Sequence, residues 1–178
     1  LTTSSAASDV YKRQKNIEAH YDLGNDFYSM WLDKTMTYSS GYYMKEDETI
    51  EEAQKAKYQL ILDTLDLPIG SRILEIGCGW GGFLEHASKQ GYLVKGITIS
   101  PSQFKFAKDR IENLEIVPDI ELIDYRLLEG RFDAVVSIEM FEAVGSEYWN
   151  SYFQKIRTVL KPNAKAIIQT ITMTKDYF

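Results

Sequence analysis

Gly77, Gly79 and Gly82 stand at G-x-G-x-x-G spacing within Glu75-Ile-Gly-Cys-Gly-Trp-Gly-Gly82. A loop of this kind, after a strand and ahead of a helix, lets backbone approach a ligand closely because glycine has no Cβ. A dinucleotide site must therefore be weighed first. Such a site wants an acidic residue about 20 positions on, to grip the ribose hydroxyls. The stretch from Gly91 through Lys108 contains no Asp or Glu. S-adenosylmethionine suits the residues better. It carries no phosphate, so the loop need only permit close approach, and Glu75 ahead of the glycines can meet its ammonium. The plainer alternative is a turn needed only for strand-to-helix geometry. Cys78 reads as a small side chain turned into packing.

Composition narrows the remaining chemistry. The lone cysteine rules out an internal disulfide and fits a reducing, cytoplasmic setting. With two histidines, His20 and His86, it cannot build a His/Cys metal cluster, so no metal is expected. A net charge of −6 argues against a general nucleic-acid-binding surface. No run approaches eighteen uncharged apolar residues, the length a membrane-spanning helix needs. The chain holds 12 Tyr, 8 Phe and 3 Trp, more than a plain core requires, which hints at an aromatic-lined site.

The elements that would position these residues can be read along the chain. Residues 1–14 show no sustained apolar period and read as a non-native leader; without Asp9, Lys12 and Arg13 the balance becomes about −7. Residues 16–32 have near-helical spacing, with Gly24-Asn25 splitting them into two short helices. Thr49 and Glu52 form a capping box that opens a helix over 50–66, with Ala53, Ala56, Leu60 and Thr64 as its stripe. From Ser71 strands and helices alternate: strands at 72–77, 92–99, 120–124, 132–138 and 164–171. A glycine-loop helix ends at Gly91, a second runs from Pro101 to about Asn113, and a third spans 146–160. Ser100-Pro101-Ser102-Gln103 is a capping box with Pro at the first helical position. Phe104, Ala107 and Ile111 should face inward, and Lys105, Lys108 and Arg110 should form a solvated face. Repeated strand–helix–strand units mean an α/β domain with a parallel, doubly wound sheet. The chain stops at Phe178 just past an apolar run, which reads as C-terminal truncation.

The glycine loop, HYDLGNDFY, TYSSGYY, GITIS-x-x-Q, DYR and F-E-x-V-G, in that order over residues 15–178, resemble the cyclopropane-fatty-acyl-phospholipid synthases. That family includes the mycolic acid cyclopropane synthases and related fatty-acid methyltransferases. The resemblance implies a Rossmann-like class I methyltransferase fold, with N-terminal helices over 15–66 and the core over 71–178. It implies methyl transfer from S-adenosylmethionine to the double bond of an unsaturated acyl lipid, with peripheral contact to the inner face of a membrane. The cofactor residues it implies are Tyr38, Ser39, Glu75, Gly77, Gly79, Thr98, Gln103, Tyr125 and Arg126. Thr98 would stand where an acid is usual, and Gln103 has a rival role as the cap partner of Ser100. The catalytic set, around a bound bicarbonate base, would be Ser40, Glu142, Gln169 and Ile171. Here Ser40 stands for a cysteine, Gln169 for a histidine and Ala143 for a histidine. Tyr21, Phe27, Tyr42, Tyr43 and Phe141 are aromatic candidates near a transient cation; Glu139 is a weaker acid/base candidate. A methyl-branching or small-molecule methyltransferase, or an inactive cofactor-binding domain, are the alternatives on this scaffold.

Overall fold

The computed structural model describes residues 24–173. The expected leader, the expected first of two short N-terminal helices, His20 and Tyr21 lie outside the described residues. The described chain begins with α1 (Gly24–Ser29) and α2 (Ile50–Leu65). It continues through β1 (Arg72–Ile76), α3 (Gly82–Lys89), β2 (Leu93–Thr98) and α4 (Pro101–Ile111). β3 (Asp119–Leu122), β4 (Phe132–Ile138), α5 (Trp149–Val159) and β5 (Leu160–Gln169) complete it.

The five strands form one sheet in the order β3-β2-β1-β4-β5, and every neighbouring pair is parallel. Parallel pairing follows from the connections, since each crossover carries a helix or a long loop between strands. Alternate strand residues serve two separate cores. Ile73, Ala134 and Val136 pack with α2 and α3, whereas Leu74, Ile76 and Val135 pack with Tyr152 and Ile156 of α5. Both faces are thus buried, which is why β1 and β4 read as near-continuous apolar runs. The expected doubly wound α/β fold is present. Its strand order reverses at β1 and β4, which is where such sheets open a crevice beyond their carboxyl ends.

Several boundaries differ from the sequence reading. β5 begins at Leu160, but Lys161, Pro162 and Asn163 form an irregularity before regular pairing resumes at Ala134↔Lys165 and runs to Ile138↔Gln169. Pro162 has no N–H for a ladder, so the bulge is its natural place. Residues 146–148 form a separate 3-10 turn before α5. On α2 the buried face is Ala53, Gln54, Lys57, Tyr58, Ile61, Leu62 and Leu65, and Leu60 of the expected stripe is 45% exposed. Two polar residues, Gln54 and Lys57, lie on this buried face. Among the described residues no helix is long and apolar enough to cross a membrane.

Candidate active site

A cleft of about 1680 Å³ opens at the carboxyl ends of β1, β2, β4 and β5, roofed by the loop of residues 31–43. Its floor is the glycine loop. Gly77 has φ +82°, and a Cβ there would lie 2.6 Å from Met140 Cγ, so both conformation and space demand glycine. Gly79 has φ +52°, and a Cβ there would meet nothing within 4 Å; its backbone borders open cleft. Cys78 is buried in the core, and burial pushes its thiol well up.

Glu75, one residue before the end of β1, is buried beneath this loop. Burial raises its carboxyl to about 8, with Lys57 opposing. Its Oε2 has no hydrogen-bond partner. At the tip of β2, Thr98 Oγ1 donates to Gln103 Oε1 at 3.1 Å and accepts from Ser100 N at 3.2 Å. Ser100 caps α4 through Gln103 N at 3.3 Å, but the Gln103 side chain goes to Thr98 rather than back to Ser100. The capping box is half formed. Gln103 instead lines the cleft.

Beyond β3, Tyr125 lines the cleft and Arg126 does not. The Arg126 guanidinium folds onto Asp124, Nε to Oδ1 at 3.0 Å and a terminal nitrogen to Oδ2 at 3.1 Å. Arg126 thus sits outside the cleft lining and braces the buried, cleft-lining Asp124, which the sequence reading passed over. A D at the start of DYR, followed two positions later by Arg, was the available signal.

The roof is held from two sides. Lys57 Nζ donates to Ser39 Oγ and to Ser40 O, both at 2.8 Å, and Gln54 Nε2 donates to Ser39 O at 2.6 Å. Burial pulls the Lys57 ammonium down to about 8, against the pull of Glu139, Glu75 and Asp33. On the other side, Arg110 donates to Thr35 O at 2.7 Å, Trp80 O at 2.9 Å and Lys34 O at 3.0 Å. Arg110 is thus not part of a solvated face; it staples the roof to the glycine loop. Tyr38 lines the cleft and packs against Tyr28 and Trp31, with ring centroids 5.6 and 5.3 Å away.

Ser40 and Gln169 do come together, around Glu139. Glu139 Oε1 accepts from Ser40 N at 3.0 Å, Ser40 Oγ at 2.9 Å and Gln169 Nε2 at 2.8 Å. Glu139 holds φ +47° just past β4, a left-handed conformation that costs a residue with a Cβ roughly 1–2 kcal/mol. Glu142 also lines the cleft but pairs elsewhere: Oε1 accepts from Thr170 Oγ1 at 2.7 Å and from Ile171 N. Of the described aromatic candidates only Tyr43 lines the cleft. Phe141 packs on Trp149, Tyr152 and Phe153, and Phe27 on Tyr28 and Trp31. Among the described residues no group of three or more His, Cys, Asp or Glu could hold a metal ion.

Known proteins resemble this chain in sequence and fold. The chain is 44% identical over 157 residues to the cyclopropane-fatty-acyl-phospholipid synthase of Escherichia coli strain K12, covering 88% of this chain and 40% of that protein. It is 37% identical over 169 residues to the tuberculostearic acid methyltransferase UfaA1 of Mycobacterium tuberculosis, covering 90% of this chain and 40% of that protein. The chain thus spans about 40% of the length of these curated relatives. The cyclopropane synthase MmaA2 from Mycobacterium tuberculosis superposes with a TM-score of 0.87 at 34% identity, covering 92% of this chain and 59% of that one. The mycolic acid cyclopropane synthase CmaA1, solved with SAH and CTAB, gives 0.83 at 33% identity, over 87% and 55%. The profile of the mycolic acid cyclopropane synthetase family matches residues 8–177. With its parallel sheet, glycine loop and roofed cleft, the chain belongs to that family.

Proposed function

We propose that this protein transfers a methyl group from S-adenosylmethionine to the double bond of an unsaturated acyl chain, in a phospholipid or related lipid, and closes a cyclopropane ring. One observation carries the reading: a single cleft is lined both by the glycine loop with Glu75 and by the Ser40–Glu139–Gln169 cluster.

The cofactor fits the residues present. A buried carboxylate oxygen without a partner suits an ammonium, and the open space over Gly79 suits a ligand lying against backbone. Tyr38, Ser39, Gly77, Gly79, Thr98, Gln103 and Tyr125 would hold it, with Glu75 at its amino group. Bound there, S-adenosylmethionine supplies an electrophilic methyl. The chain does the rest. Ile76, Ile138, Met140 and Val144 make an apolar wall that excludes water from a cationic substrate. Tyr38 and Tyr43 offer aromatic faces, each worth roughly 0.5–2 kcal/mol toward a nearby cation. The donors a bicarbonate base would need, Ser40 and Gln169, are turned on Glu139.

The substrate implies a cytoplasmic protein touching the inner face of a membrane. Trp31 and Tyr43, about half exposed on the cleft wall, would make that contact. The test is mass spectrometry of unsaturated phospholipid vesicles incubated with S-adenosylmethionine and the full-length protein. A gain of one CH2 per double bond, resolved as a ring, is expected; a branch corrects the product, and no gain overturns the reading.

A further inference from the structure

Three donors from two distant segments converge on one oxygen of Glu139, namely Ser40 N, Ser40 Oγ and Gln169 Nε2. Such a pocket is an anion cradle, and here a side chain fills it. The second oxygen, Oε2, accepts from none of the described residues, and Glu139 lines the same cleft as Gly79 and Gln103. The carboxylate is fixed by one oxygen and has the other free for a proton. Its backbone is fixed too, since Glu139 N donates to Gln169 O at 2.9 Å. Lys57, hydrogen-bonded to Ser39 and Ser40, places a cation behind the cradle. Glu142 lacks these features: it is tied to Thr170 and Ile171, the segment that follows β5.

We propose that Glu139 is the proton acceptor of this site, a base built into the chain in place of an anion taken from solution. The inference rests on the reading of the cleft as a methyl-transfer site on an alkene. The step is a proton transfer. A C–H bond of the newly attached methyl breaks, its electron pair forms the ring-closing C–C bond to the cationic carbon, and the proton forms an O–H bond at Glu139. The left-handed backbone at Glu139 fits the role, because it is the kind of local strain that functional sites retain.

The experiment uses the full-length protein, unsaturated phospholipid vesicles and bicarbonate-free buffer. Wild type is expected to turn over at a rate that added bicarbonate leaves unchanged. Glu139→Gln is expected to lose activity about 100-fold or more, the scale of general-base loss. Glu139→Gly should lose as much and recover on adding bicarbonate, because it leaves the Ser40 and Gln169 donors around an empty pocket. Glycine tolerates a positive φ, which offsets part of the cost of the hydrogen bonds lost with the carboxylate, so this variant should still fold with a cooperative melt. Calorimetric affinity for S-adenosylmethionine should stay within about threefold in both variants. A wild-type rate that requires bicarbonate, a Glu139→Gln rate near wild type, or a Glu139→Gly variant that folds but is not rescued would overturn the assignment of Glu139 alone. A wild type that binds S-adenosylmethionine yet never modifies the lipid would overturn the underlying reading, and the inference with it.

Discussion

Glu75 holds a proton at neutral pH that the unfolded chain has already lost. Burial sets its carboxyl near 8 in the folded protein, far above an exposed glutamate near 4.3. Between those values the folded state binds the extra proton, so this residue's contribution to stability is complete below about pH 4 and is lost as pH rises through 8. Urea midpoints of the wild type should therefore fall from pH 5 to pH 8. In Glu75→Gln that component of the fall should vanish; an unchanged slope would remove Glu75 as its source. A ligand ammonium beside Glu75 favours the charged form. Binding of S-adenosylmethionine at pH 7 should then release protons, which calorimetry in buffers of different ionisation enthalpy reads directly. A second comparison separates the two carboxylates after β4. With Glu139 as the proposed proton acceptor, Glu142→Gln should slow turnover less than tenfold, since Glu142 bonds instead to Thr170 and Ile171.

At the scale of elements, the caps were readable because they are local. Thr49 and Glu52 form the reciprocal box at the start of α2, with Thr49 N donating to Glu52 Oε2 at 2.8 Å. Thr49→Ala should cost about 1 kcal/mol of stability, seen as a lower denaturation midpoint with an unchanged slope. Strand–helix alternation was equally plain, since each core position answers a two- or 3.6-residue period. The inward turn of Lys57 and the staple made by Arg110 were not legible. Arg110 finds its carbonyls 75 and 30 positions away, and no local period encodes such partners. The contact of Ser40 with Glu139 has the same cause, because the two are 99 positions apart. Arg110→Ala should destabilise by at least about 2 kcal/mol, as three carbonyls lose a charged donor. It should weaken S-adenosylmethionine binding as well, because the roof loses its hold on the glycine loop. Full affinity in a folded Arg110→Ala protein would contradict that.

Across the whole molecule, the sheet assembles one site from four strand ends and a roof that precedes them all. Among the described residues β5 pairs only with β4, and none of its residues is fully buried. The roof contact has a consequence in time. Ser39 and Gln169, joined at 3.3 Å, are 130 positions apart. A ribosome adding roughly 5–20 residues per second would deliver Gln169 on the order of ten seconds after Ser39. Throughout that interval the cradle lacks one of its walls and the apolar cleft stands open. Until β5 docks, the roof lacks its Gln169 contact, and that window is when a chaperone would meet the open cleft.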